Sequence, residues 1–343
     1  MERELTTAVS LTDDAGLLNE DAVGWARTPL VSSDGIGARS GARPWPKAWG
    51  RNKRWEYWNV MTPTHIVALT VSDIDYASLN ELWVFHRATQ EQVARVALRV
   101  PARGVMLPGT LGGGKVRARG GGVDIAIDDA DGATRLRGRV RDRHCPEARF
   151  DIFAEKPDGH EALAVVVPWS RKRFQYTVKD VARPARGWVQ VGSHFYDVPS
   201  GKSWAVLDHG RGRWPYNVTW NWGAGAGTSG GTTVGIQVGG KWADGTGSTE
   251  NGISINGRMH KISDELTWEY DLDDFTAPWR IFGGGLEARL TPFYNKQTRT
   301  NMGILAGSTD QCFGVWEGSF TQEGHTYHFD GIEGFAEHVH NRW

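Results

Sequence analysis

The stretch His65–Val100, HIVALTVSDIDYASLNELWVFHRATQEQVARVALRV, decides the fold. Three runs in it, HIVALTV at His65–Val71, ELWVFH at Glu81–His86 and VARVALRV at Val93–Val100, are short and β-branched. Apolar residues recur in them with the period of two that half-buries a strand. Ala88–Val93 is the nearest thing to a helical turn. The style continues outward. Val123–Ile127 and Arg135–Val140 flank a turn at Asp128–Gly132, and Arg149–Ala154 and Ala162–Val167 flank a second at Lys156–Gly159. Later runs break at Gly239-Gly240, Asn256-Gly257 and Gln322-Glu323-Gly324. Glycine in such turns supplies positive φ. Many short strands with no strand–helix–strand rhythm predict an all-β sandwich or barrel.

A length of 343 residues favours two domains over one. Pro184 and Gly187 interrupt the strand pattern in KDVARPARG, which sets the expected division at 183/184. Residues 1–60, irregular and rich in Trp, Pro and Gly, are expected to pack along two barrels spanning 61–183 and 184–343.

Charge excludes several functions. The 39 basic and 40 acidic side chains give a net charge of −1, without the basic excess of a nucleic-acid or polybasic membrane partner. No run is long enough for a membrane span, and the charged N-terminal residues do not read as a signal peptide, so a cytoplasmic protein is expected. Cys145 and Cys312 form no metal or disulfide pattern. His338 and His340 share a strand face but lack a third ligand, so no metal is expected. The run Gly223–Gly231 lacks a P-loop ending and reads as a close-approach loop.

The 17 tryptophans point to a ligand pocket. Ser203–Gly227, SWAVLDHGRGRWPYNVTWNWGAGAG, brings Asp208, His209, Arg211, Arg213, Tyr216, Trp220, Asn221 and Trp222 together. On a strand Trp220 and Trp222 share a face, with Asn221 opposite, while Asp208 and His209 point apart unless a bulge intervenes. Glu250 and Asn251 sit in the glycine-rich GTGSTENGISIN, and RNKRWEYW places Trp55 and Tyr57 on one strand face. A buried polar network closing a barrel would use many of the same residues, but polar density this high is costly to bury without a purpose.

The blocks LLNEDAVGWARTPL, KRWEYW, VSDIDYA, LDHGRGRWPY, WNWG, TEN and GFAEHVHNRW resemble the bacterial family called domain of unknown function 2804. More remotely the chain resembles tandem lipocalin-like proteins of the carotenoid 1,2-hydratase group. The resemblance implies two lipocalin-like antiparallel barrels with a pocket between or within them. The charge of Arg211 and Arg213 departs from what a terpenoid pocket needs.

Two functions are expected from these residues. One is a cofactor-independent lyase or isomerase with hydratase- or cyclase-like acid–base chemistry on a bulky apolar or aromatic small molecule. There Asp208, His209 and Glu250 are the catalytic candidates. Arg211 or Arg213 would anchor an acidic group on the substrate, Tyr216, Asn221, Asn251, Trp55 and Tyr57 would line the pocket, and Trp220 and Trp222 would steady a developing cation. The alternative is a non-catalytic carrier of a lipid-like or aromatic ligand using the same wall. An interaction module would instead expose its indoles.

Overall fold

The computed structural model describes residues 2–36, 48–301 and 306–342. They form two curled antiparallel half-barrel sheets in tandem, a lipocalin-like all-β architecture. Among the described residues the helical structure is two single 3-10 turns, Glu20–Ala22 and Asp34–Ile36.

The first sheet runs from Gln92–Arg99 through Ser78–His86, His65–Asp73, Lys53–Met61 and Trp204–Arg213 to Arg173–Val191, then on through four more strands to Val105–Met106. The second has Asn217–Ser229, His325–Arg342, Ala306–Gln322 and Leu286–Asn301 at its centre. Each half-barrel has its own apolar interior. Leu82, Ile125, Leu136 and Ile152 fill the first, and Ile236, Ile281, Trp279 and Trp316 the second. A third apolar layer, including Trp83, Phe85, Phe313 and Phe335, lies where the sheets meet.

Three expectations change. Residues 1–60 are not all irregular, because Lys53–Met61 is a central strand and Gly24–Ala26 pairs with Leu163–Ser170. Residues 37–47 of that segment lie outside the described residues. The expected division at 183/184 falls within the Arg173–Val191 strand, and the sheets change over between Arg213 and Asn217. Pro184 sits beside a bulge there: the register shifts between Asp180 and Arg183, and Ala182 takes φ 57°. The bulge turns the strand, so its first half pairs with Leu163–Ser170 and its second with Ala148–Glu155. The strands flanking Lys156–Gly159 are therefore not a hairpin; each pairs with a different half of one long strand.

The glycines of Gly223–Gly231 begin in strand rather than loop. A Cβ at Gly225 would come within 2.7 Å of the Trp316 ring, so the bare backbone makes room for a buried indole.

Candidate functional site

Where the sheets face each other, one row of side chains from each comes into register. Pairing aligns Lys179, Asp208, Tyr57, Thr70 and Glu81 across the first sheet. It aligns Trp222, Glu337, Gln311 and Lys296 across the second. The rows meet as a polar bar. The Lys179 ammonium lies 4.1 Å from the Trp222 ring centroid, Gln311 Nε2 donates to the Tyr57 hydroxyl at 3.1 Å, and Lys296 Nζ pairs with Glu81 Oε1 at 2.7 Å. On one side of the bar the apolar layer packs: Trp83 stacks on Phe313 and Tyr294. On the other side the sheets separate around a cavity of about 340 Å³.

Five tryptophans, Trp55, Trp214, Trp220, Trp222 and Trp242, wall this cavity. Trp214 and Trp242 stack with centroids 5.0 Å apart, and Trp55 and Trp220 meet Trp214 edge-on. Three of the indoles secure a buried carboxyl each. Trp55 Nε1 donates to Asp208 Oδ2 at 2.9 Å, Trp242 Nε1 to Glu250 Oε2 at 2.9 Å, and Trp220 Nε1 to Glu337 Oε1 at 3.0 Å. A buried indole N–H needs an acceptor, and these bonds fix carboxyl and ring together.

Lys179 bridges two of the acids, 3.0 Å from Asp208 Oδ1 and 3.5 Å from Glu250 Oε1. Burial works against its charge, yet the two carboxylates prevail and raise its pKa. Burial raises the Glu250 pKa despite Lys179, with Asp208 adding to the rise. Glu337 is pushed up to about 7, first by burial, with the Trp220 bond and Lys179 opposing and Asp208 adding. Gln311 Nε2 donates to its second oxygen at 3.0 Å. Burial, reinforced by Glu337, carries Tyr57 well above its ordinary range, so its hydroxyl keeps its proton. The cavity thus holds an ion pair, Lys179 with Asp208, beside a carboxyl that titrates near neutrality.

Of the residues singled out in the sequence, the structure gathers Asp208, Glu250, Trp220, Trp222, Trp55 and Tyr57 around this cavity. His209 is on the opposite face of its strand, as alternation requires. Its Nδ1 lies 3.3 Å from Glu56 Oε1, and burial lowers its pKa to about 4, so it stays neutral. Arg211 does not reach the cavity; it donates to the backbone carbonyls of Trp55 at 2.7 Å and Pro108 at 3.0 Å. Arg213 donates to Asn52 Oδ1 at 2.9 Å and to the Gly16 carbonyl. Tyr216 is solvent-exposed. Asn221 bonds the Tyr270 hydroxyl and the Glu337 carbonyl, and Asn251 bonds the Asp264 carbonyl and the Gly239 amide. None of these six lines the cavity. Arg54, from the basic run, is buried against Asp73 and Asp75. No cluster of metal-ligating side chains occurs among the described residues.

Lys179, Gln311 and Trp242 escaped the sequence reading, and Glu337 stood out there only as a neighbour of the tail histidines. One signal was present: in FQYTVK, Phe174–Lys179, the period of two sets Gln175, Thr177 and Lys179 on one face of an otherwise apolar strand. Glu337 stands in the same tail as His338 and His340 but faces the other way.

No curated protein sequence matches the chain. Among solved structures, a candidate AttH from Nitrosomonas europaea shares 11% identity, with 88% of this chain and 98% of that one covered and a TM-score of 0.51. Kievitone hydratase from Nectria haematococca shares 10% identity over 91% and 95% of the two chains, with a TM-score of 0.47. At 11% identity the likeness to the Nitrosomonas europaea protein is one of fold. The family described as domain of unknown function (DUF2804) matches residues 2–343, and the chain belongs to that family.

Proposed function

We propose that the protein is a cofactor-independent acid–base enzyme acting on a bulky, ring-bearing, largely apolar small molecule, by hydration, dehydration, isomerisation or cyclisation. One observation carries the reading: the Glu337 carboxyl, held near pKa 7, lines a tryptophan-walled cavity beside the Lys179–Asp208 ion pair. A structural carboxyl gains nothing from such a pKa, whereas a proton donor at neutral pH does.

In the hydration direction Glu337 gives its proton to one carbon of a substrate double bond, and positive charge develops on the neighbouring carbon. The indole faces and the carboxylate of Asp208 favour that charge. Water adds to the cationic carbon and returns a proton to Glu337, so H and OH are gained and the acid is regenerated. Dehydration is the reverse. Loss of a different substrate proton gives an isomer, and attack by an internal nucleophile gives a ring. Asp208 and Glu250 hold the charge pattern, and Lys179 keeps them from repelling one another.

The alternative is a carrier. It is favoured by the internal satisfaction of the polar groups, each carboxyl capped by an indole and Lys179 paired. The readings separate when ring-bearing alkenes and tertiary alcohols are incubated with the protein in H₂¹⁸O and followed by mass spectrometry. The enzyme reading expects ¹⁸O incorporation, a mass change of one water or, for isomerisation and cyclisation, a product of unchanged mass and new chromatographic retention, lost at least about 100-fold in Glu337→Gln while binding is retained. Binding of these compounds without conversion under any condition would support the carrier and sink the enzyme.

A further inference from the structure

The cavity is a slot with two unlike ends. Beyond the polar bar, the next row of the first sheet runs Thr177, Gly210, Trp55, Ser72, Leu79 and Leu98, and that of the second runs Trp220, Val339, Thr309 and Thr298. The second row begins in indole, the first reaches its indole, Trp55, after Thr177 and Gly210, and both end in small hydroxyl or aliphatic groups. From the strand of Asp208 to that of Glu81 is three strand spacings, about 14 Å at 4.8 Å each. That is too long for one ring system to fill. Thr298, exposed, and Thr300 and Thr309, half-buried, all line the slot, and among the described residues their hydroxyls bond to no protein group.

The charges are already matched. Lys179 is held by Asp208 and Lys296 by Glu81. Glu250 and Glu337, both with raised pKa values, add acids rather than cations to the floor. Arg342, at the exposed rim, already has an interaction within the protein. Along the floor, Lys179 and Lys296 each already face a carboxylate, so an anionic ligand lying there would meet carboxyls rather than a cation awaiting a partner.

We propose that the slot takes an elongate, uncharged amphiphile, with a flat ring system among Trp55, Trp214, Trp220 and Trp242 and a hydroxyl, carbonyl or amide at the end lined by Thr298, Thr300 and Thr309. This names the substrate class of the site read above as an acid–base centre, and so rests on that reading for its catalytic meaning. The binding preference stands by itself. The threonine end sets specificity: it accepts a polar tail by hydrogen bonding and leaves the ring's reacting bond near Glu337.

Three probes sharing one ring test it by isothermal titration calorimetry: 4-(2-naphthyl)butan-1-ol, 2-pentylnaphthalene and 4-(2-naphthyl)butanoate. The alcohol is expected to bind about 5-fold or more tightly than the hydrocarbon, the worth of one hydrogen bond, with the carboxylate weakest. Thr298→Val and Thr309→Val, which exchange hydroxyl for methyl, should erase the alcohol's advantage and leave hydrocarbon binding unchanged. A carboxylate that binds best, a hydrocarbon that matches the alcohol, or three probes that fail to bind each overturn the proposal. Glu337→Gln should keep the same order of affinities. A correct order in a protein that converts no substrate would thus uphold the slot preference while defeating the acid–base reading.

Discussion

The Trp220 indole donates to Glu337 Oε1 at 3.0 Å from the neighbouring strand of the same sheet, binding a wall of the cavity to its titrating group. That bond favours the carboxylate, yet burial outweighs it and the carboxyl still rises to about 7. Folding has therefore placed a proton where water would not keep one.

This has a signed consequence for stability. In the unfolded chain Glu337 loses its proton near 4.5, and in the folded protein near 7. Between those values the folded state binds the extra proton, so this residue's contribution to stability is lost as pH rises from about 4.5 to 7. Urea unfolding at a series of pH values should show the gap between Glu337→Gln and wild type moving in the variant's favour across that window. A gap that does not change with pH would show that Glu337 is already ionised.

His209 carries the opposite sign. Its folded pKa, about 4, lies below the ordinary 6.5, so acidification from 6.5 towards 4 destabilises the fold through this residue. His209→Gln should reduce the acid sensitivity and leave the affinity for 4-(2-naphthyl)butan-1-ol unchanged, because the imidazole lies behind the sheet. Loss of affinity would place His209 in the site.

Lys179 bridges Asp208 and Glu250. Lys179→Met should lower stability by about 3–5 kcal/mol, the cost of leaving buried charge unpaired. Adding Asp208→Asn should recover part of the loss, measured by thermal or urea unfolding. Equal destabilisation in single and double variants would mean that packing, not charge, is at stake.

Gly210 is the floor tile under Trp55. A Cβ there would come within 2.2 Å of the indole, so Gly210→Ala must displace the ring that donates to Asp208. The expected cost is about 1–3 kcal/mol together with weakened probe binding. A variant with wild-type stability and binding would show that the ring is not fixed as described.

Much of this was legible in local patterns. Alternation alone set Trp220 with Trp222 and parted Asp208 from His209, because the two faces of a strand are a covalent fact. Turn glycines marked most hairpins for a similar reason. The bar was not legible. Lys179 meets Asp208 by strand pairing and Trp222 by sheet packing, and neither partner is near it in sequence. Pro184 looked like a boundary because proline removes a ladder donor, but a bulge met that need without ending the strand. The basic residues Arg211 and Arg213 looked like ligand anchors, yet the backbone carbonyls of Trp55, Pro108 and Gly16 claimed their donors.

The most direct test of the central claim is an infrared titration of the carboxyl C=O band, wild type minus Glu337→Gln, from pH 4 to 9. A protonated-carboxyl band belonging to Glu337 that disappears with a midpoint near 7 is the predicted result. A difference spectrum showing Glu337 fully ionised by pH 5 would contradict it, and with it the proposal that this cavity delivers a proton at neutral pH.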